Sequence, residues 1–317
     1  MKILFISRSL PYLGGRERIV EELMTYFKDS DRISLITPDK GMKRRNIKTF
    51  DSEESSLSID KFVRKQAPEI ISCHTFYLVN LAIRLSKKFN VPLIFTLHGV
   101  FIKFYDKDYS SIIKKIYKNS DIVTTVSENY KKQLSKFLKE GSFSKIEIIK
   151  NGVNDLQSNY SKKKKNIVRR KFRLPLDKKI VIIPARLNKI KGIDYAIKAA
   201  KEINEDILFL ISSPKGRKNK DEIKFKKDLK NLIGRNNRVK FISLSHNELL
   251  EIYPACDVCL LPSLIEGISL SVLEAMSSGL VVATTAVGGN IEIINSGKNG
   301  FLFKPKSYKE IIKVVDI

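Results

Sequence analysis

Two carboxylates, Glu266 and Glu274, stand with seven residues between them in the run Glu266-Gly267-Ile268-Ser269-Leu270-Ser271-Val272-Leu273-Glu274. The run directly follows the apolar, proline-terminated segment from Val258 to Pro262. A strand-like run, a glycine-containing bend and a helix-like run make a strand-loop-helix unit. The N-terminus of such a helix offers unpaired backbone N–H groups to an anion. A carboxylate in that loop cannot serve to attract phosphate, so its chemistry is that of an acceptor, suited to the hydroxyls of a sugar.

Three further segments carry groups of matching chemistry. Ala185-Arg186-Leu187-Asn188-Lys189-Ile190-Lys191-Gly192 follows an apolar strand and opens a helix. The planar fork of Arg186 and the compact cation of Lys191 both suit phosphate oxygens; the alternative is two ordinary surface cations in a basic protein. Thr96-Leu97-His98-Gly99 ends another apolar strand and so projects His98 from a strand's carboxyl end, where a lone histidine serves either structure or ligand. In Leu13-Gly14-Gly15-Arg16-Glu17-Arg18, the paired glycines Gly14 and Gly15 let backbone approach a ligand or take positive φ, and a tight turn without ligand accounts for them as well.

Delivering these groups requires strands. Apolar, β-branched runs alternate with helix-period segments along the chain, which predicts parallel sheets wrapped by helices. Strands are expected at 2–7, 33–37, 70–73, 93–97, 122–126 and 147–149, with helices near 17–27, 78–89, 110–118 and 128–138. The alternation pauses over the polar, strongly basic stretch 158–175 and restarts with strands at 180–184, 208–211, 239–242, 258–261, 281–283 and 300–303. Helices are expected between them near 193–203, 224–232, 247–253, 270–277 and 308–315. The economical reading is α/β: a Rossmann-like domain at 1–157, a basic linker at 158–175 and a second Rossmann-like domain at 176–317, with ligands at the carboxyl ends of the strands in a central cleft.

In this order the motifs resemble those of retaining glycosyltransferases with the two-domain GT-B fold, specifically the large family 4, the glycosyl transferases group 1. The flanking Pro262-Ser263 and the downstream Gly288-Gly289-Asn290-Ile291-Glu292 reproduce family pattern too. Val126-Ser127-Glu128 and Ile149-Lys150-Asn151-Gly152-Val153 are similar to family cleft segments. The resemblance implies that Gly14 and Gly15 line the cleft beside donor phosphate and acceptor, and that His98 approaches the donor sugar. It further implies that Arg186 and Lys191 clamp the diphosphate and that Glu266 receives sugar hydroxyls. The backbone of Gly267, Ile268 and Ser269 would face the diphosphate, and Glu274 the ribose.

The activity implied is metal-independent, retaining transfer of a sugar from a nucleoside diphosphate donor to a glycan or lipid-linked acceptor in cell-surface polysaccharide synthesis. A uridine nucleotide is the first choice and a guanosine nucleotide the second. The donor is a substrate, and no cofactor is expected. A catalytically inactive nucleotide-binding or partner subunit is the alternative, and a nucleotide-sugar epimerase shares the fold. Three departures from the family pattern stand out. Ser212-Ser213-Pro214-Lys215-Gly216 replaces a Gly-x-Gly turn, Ser243 replaces a customary glycine, and the chain stops at Ile317 one helix after Gly300-Phe301-Leu302-Phe303, which reads as a shortened C-terminal end.

Composition bounds the rest. At 317 residues and 43% hydrophobic the chain supports two cores. Its apolar start is short and interrupted by Arg8, and its most apolar stretch is broken by Pro262, Glu266, Gly267, Glu274 and Gly279, so neither a secretory signal nor a membrane span is expected. A soluble cytoplasmic protein follows. Cys73, Cys256 and Cys259 make no disulfide framework, and Cys256-x-x-Cys259 reads as buried strand rather than zinc or redox site. Asp106-Lys107-Asp108 spells a metal-site motif of another glycosyltransferase fold but sits in a polar loop, so no metal site is expected. The net charge of +25 favours anionic partners. A basic, aromatic patch from Phe101 to Lys118 suits an anionic membrane surface or helix packing, and no nucleic-acid module is present.

Overall fold

The computed structural model describes residues 1–8, 14–27, 33–38, 47–50, 56–99, 108–138, 144–154, 160–203, 206–216 and 219–315. The segment 101–107, with Asp106 and Lys107 of the Asp-Lys-Asp run and the first part of the aromatic patch, lies outside the described residues, as does the chain end at 316–317. The chain divides into two compact units, Met1–Asn151 and Gly152–Ile317.

In the first unit the order is β1 (Ile3–Ile6), α1 (Gly15–Tyr26), β2 (Ile33–Thr37), β3 (Ile47–Thr49), α2 (Ser56–Gln66), β4 (Ile70–Cys73), α3 (Val79–Phe89), β5 (Leu93–Leu97), α4 (Asp108–Asn119), β6 (Ile122–Thr125), α5 (Glu128–Leu134) and β7 (Ile146–Ile148). The strands form one parallel sheet ordered β3-β2-β1-β4-β5-β6-β7. Leu4, Ile6, Ile71, Leu93 and Phe95 pack against Ala82, Leu85 and Ile113 in its main core. Asn90 ends α3 in the left-handed conformation at φ 53°, which asparagine tolerates.

α2 and β3 are elements that the sequence reading did not anticipate. α2 turns Ile59, Asp60 and Val63 inward, so a charged residue interrupts its apolar face. Arg84 and Lys88 of α3 meet the Asp60 carboxylate at 2.7 and 2.6 Å. Burial alone would raise the Asp60 carboxyl, but the two cations outweigh it and hold it below its ordinary value.

The second unit contains α6 (Lys162–Lys171), β8 (Lys179–Pro184), α7 (Ile193–Glu202), β9 (Ile207–Pro214), α8 (Lys220–Ile233), β10 (Val239–Leu244), α9 (His246–Ile252), β11 (Val258–Leu261), α10 (Leu270–Ser277), β12 (Val281–Thr285), α11 (Asn290–Ile293), β13 (Phe301–Phe303) and α12 (Tyr308–Val315). Its parallel sheet is ordered β10-β9-β8-β11-β12-β13. β8 is the central strand, buried from Ile180 to Pro184, as expected for a sheet covered on both faces.

The stretch expected to link the domains is different in kind. Ser161 caps α6 by accepting the Lys164 amide hydrogen, and Val168 and Arg169 turn into the second unit. Buried Arg169 donates to the carbonyl of Ala255 at 2.8 Å, to that of Lys178 at 3.0 Å and to Asp257 at 2.9 Å. One inward arginine with a full set of acceptors makes this basic stretch an integral helix. Replacing Arg169 with Met should deprive the Ala255 and Lys178 carbonyls of this donor, leave Asp257 with only the Ile180 amide, and cost about 2–4 kcal/mol of stability, read as a lower midpoint in urea unfolding. An unchanged midpoint would contradict this account.

Among the described residues no helix is long and apolar enough to cross a membrane.

Candidate functional site

In the second sheet, chain order reverses at β8, which pairs with β9 on one side and β11 on the other. The loops leaving β8 and β11 therefore flank the point where open parallel sheets bind ligands. A short turn over Lys189–Lys191 ends at Gly192 with φ 62°. A Cβ on Gly192 would lie 2.0 Å from the carbonyl oxygen of Pro262. Only glycine lets these loops close, and the Leu264 amide then donates to the Ile190 carbonyl at 2.7 Å.

This closure brings Lys191 to Glu266. Lys191 Nζ lies 2.5 Å from Glu266 Oε1, and Ser263 Oγ donates to the same oxygen at 2.7 Å. The lysine side chain is 19% exposed and the glutamate 11%, so the pair is mostly sheltered from water while keeping an open side. The loop after β12 braces the cluster from behind. Thr285 Oγ1 donates to the Ser263 carbonyl and the Gly289 amide to the Gly267 carbonyl, both at 2.5 Å. Gly288, at φ 56°, presses so close that a Cβ would stand 1.9 Å from the Glu266 carbonyl oxygen. Arg186 is exposed on the loop from β8.

Gly267 and Ile268 lead into α10, whose N-cap is Ser269. The first turn holds no carboxylate, and Ser269 makes no side-chain capping bond. The amides of Val272 and Leu273 both donate to the Ser269 carbonyl, so the donors ahead of them lack an intrahelical acceptor and give this end a positive character. Glu274, one turn on and 6% exposed, meets His246 Nε2 at 3.0 Å through Oε1. Sequence reasoning missed His246. Ser245 and Glu248 form a capping box that marks the start of α9 and so puts His246 first in the helix, but its contact with α10 is long-range. The Lys215 ammonium and the Ser245 amide and hydroxyl hold the neighbouring Glu248 carboxyl down at about 2.

The two departures at Ser213 and Ser243 are neighbours across β9 and β10, with hydroxyls 3.4 Å apart. β9 runs on to Pro214, beyond the expected end at 211, because its backbone stays paired with β10 up to Leu244.

In the first unit, β1, β4 and β5 are adjacent, and chain order reverses between β1 and β4. Gly14 is the N-cap of α1 with φ −95°, and Gly15 starts the helix, so neither takes the left-handed conformation that paired glycines allow. His98 leaves β5 and His74 leaves β4. Their rings meet edge to edge, with centroids 5.1 Å apart, an interplanar angle of 28° and His74 Nδ1 2.9 Å from His98 Nε2. His74 is a second residue missed by sequence reasoning. The available signal was two expected strands, each followed at once by histidine.

The three cysteines are free and buried. Burial raises all three thiols, that of Cys73 to about 12. Cys259 lies within β11, so the Cys256-x-x-Cys259 run is buried strand entry rather than a reactive pair. Among the described residues, no group of three or more histidine, cysteine and acidic side chains is arranged to hold a metal ion.

Comparison with known proteins adds family and fold. Residues 13–155 match the model for Glycosyltransferase Family 4, and residues 164–317 match the model for Glycosyl transferases group 1. An uncharacterised glycosyltransferase of Methanocaldococcus jannaschii is 28% identical over 271 residues, 82% of this chain and 67% of that protein. A glycogen synthase of Fusobacterium nucleatum is 25% identical over 369 residues, 99% of this chain and 77% of that protein. Among solved structures, Anabaena HepE in complex with UDP-glucose superposes with a TM-score of 0.88 at 19% identity, covering 100% of this chain and 89% of that one. These neighbours have the GT-B fold.

Proposed function

The chain belongs to the glycosyl transferases group 1, the retaining glycosyltransferase family 4, and from that premise we propose that the loops after β8 and β11 bind a nucleoside diphosphate sugar and promote its transfer to a glycan or lipid-linked acceptor in cell-surface polysaccharide synthesis. The observation that carries this reading is the Lys191–Glu266 pair at the reversal point of the second sheet. Lysine has three N–H donors, and Glu266 engages one. The others can meet diphosphate oxygens, joined by Arg186 and the amides of Gly267, Ile268 and Ser269 at the start of α10. Glu266 Oε1 is taken by Lys191 and Ser263, which leaves Oε2 to accept from sugar hydroxyls. Glu274, steadied by His246, accepts from the ribose hydroxyls.

In the reaction, the bond between the anomeric carbon and the diphosphate oxygen breaks as positive charge develops on the sugar. The acceptor hydroxyl oxygen bonds to that carbon from the face the phosphate leaves, which preserves configuration, and its proton passes to the departing phosphate oxygen. The fixed charges of Lys191 and Arg186 and the amides of α10 stabilise the charge that gathers on the diphosphate. In the first unit, the family resemblance assigns His98 to the donor sugar and the backbone of Gly14 and Gly15 to the phosphate and acceptor side. Free thiols suit a reducing cytoplasm, and the charge of +25 suits an acceptor carried on an anionic membrane surface.

A uridine donor is the first choice, supported by the UDP-glucose complex of the HepE neighbour. Thermal unfolding with UDP, GDP and ADP tests the reading. UDP at a hundredfold excess over its dissociation constant should stabilise the protein by about 2.7 kcal/mol, raising Tm more than equal GDP or ADP. Absence of a shift with every nucleotide would remove the donor site. A shift without nucleotide release from any sugar donor would favour an inactive nucleotide-binding subunit.

A further inference from the structure

We propose that His74 is a positioning residue that orients the His98 ring and selects which of its nitrogens carries the proton. The inference rests on the reading of His98 as the histidine that meets the donor sugar. His74 is only 4% exposed and is held on several sides. Its backbone amide donates to the Ile6 carbonyl of β1 at 2.9 Å, and Phe5 packs on its ring at 5.7 Å between centroids. On the ring itself, Nε2 lies 2.9 Å from the Ser72 hydroxyl and Nδ1 lies 2.9 Å from His98 Nε2. His98 therefore faces a rigid partner rather than a mobile one.

The chain Ser72–His74–His98 has two self-consistent settings when both rings are neutral. If the Ser72 hydroxyl donates to His74 Nε2, then His74 Nδ1 bears hydrogen and donates to His98 Nε2, so His98 carries its own proton on Nδ1. If His74 Nε2 donates to the Ser72 oxygen, then His74 Nδ1 accepts from His98 Nε2, and His98 Nδ1 is bare. A mixed setting puts two hydrogens or two lone pairs against each other across 2.9 Å. The tautomer of His98 is thus tied to that of His74. The same edge-to-edge contact, with the rings inclined by 28°, restricts rotation of His98 about its side-chain bonds.

The chain holds only three histidines, His74, His98 and His246, so the ring nitrogens can be followed individually by NMR on the 15N-histidine-labelled protein. His98→Ala identifies the His98 signals. In the parent protein they should report one dominant tautomer. His74→Leu should give His98 nitrogen shifts averaged between tautomers and lower kcat by at least about tenfold, with the donor KM little changed. His74→Asn, whose side-chain amide can take the place of Nδ1, should restore both the tautomer and most of kcat. Should His74→Leu fail to fold, Ser72→Ala removes the far end of the chain and should redistribute the tautomer in a folded protein.

His98 signals in folded His74→Leu or Ser72→Ala identical to those of the parent overturn the proposal, whatever happens to activity. Failure of the His74→Asn rescue overturns it as well. Full turnover by His98→Ala would instead overturn the role of His98 at the sugar, an outcome the spectra keep separate.

Discussion

Glu266→Gln should lower the rate of sugar transfer by roughly 100- to 1000-fold while the protein stays folded, the loss expected when one fixed group at a developing charge is removed. The substitution keeps side-chain size and one acceptor oxygen, so the Ser263 hydroxyl can still be satisfied. What disappears is the negative charge against Lys191, whose side chain is 19% exposed, and the second carboxylate oxygen proposed to face the sugar. Lys191 is then released toward the diphosphate, which predicts that donor affinity holds or rises while kcat falls. That split is the diagnostic result. Steady-state measurement of nucleotide release and glycoside formation would show it, with circular dichroism as the folding control. Unchanged turnover and donor affinity would sink the assignment of Glu266, and a fall in donor affinity with kcat preserved would recast it as part of uniform binding. Glu266→Ala should lose at least as much, since it also removes the acceptor for Ser263.

Gly288→Ala should be nearly as damaging, although the residue touches no substrate in the proposed site. At φ 56° an alanine is strained, and its Cβ would stand 1.9 Å from the Glu266 carbonyl oxygen and 2.7 Å from its carbonyl carbon. Backbone cannot yield as a flexible side-chain end can. The loop carrying Glu266 must move, and the bond from the Gly289 amide to the Gly267 carbonyl goes with it. Displacing a reacting group by about an ångström can cost about 100-fold in rate. Strain and overpacking should together lower stability by about 1–3 kcal/mol. Gly297→Ala is the matched control, because Gly297 also has positive φ, 83°, but its Cβ would meet nothing within 4 Å. That variant should show backbone strain alone, near 1 kcal/mol, with kcat preserved. If Gly288→Ala kept both the Tm and kcat of the parent, the three-loop brace would not be what holds Glu266.

Much of this was legible along the chain. Strand runs such as 33–37, 70–73, 93–97 and 258–261 are found where expected, because a strand covered on both faces needs apolar residues at nearly every position. The order Arg186, Lys191, Glu266, Glu274 was readable for a similar reason, since each group lies in the loop after a strand or in the helix that the loop opens. Elements with charge on the inward face escaped. α2 hides Asp60, and α6 hides Arg169 beneath a surface of lysines, so their apolar periods are broken by residues whose partners lie 24 and 88 positions away.

By itself, the sequence determined the parallel α/β architecture of both units, the family, and which side chains stand at strand ends. Each of these depends on residues close together in the chain, where periodicity and turn chemistry act. Tertiary structure alone decided the partners. Lys191 meets Glu266 across 75 positions, His246 meets Glu274 across 28, and His74 meets His98 across 24. Strand order sets those meetings, and strand order follows from how whole hydrophobic faces pack rather than from any local pattern. The chemistry of each group was written in its residue type. Whether its charge or proton would be held, and by what, depended on the neighbour that the sheet placed beside it.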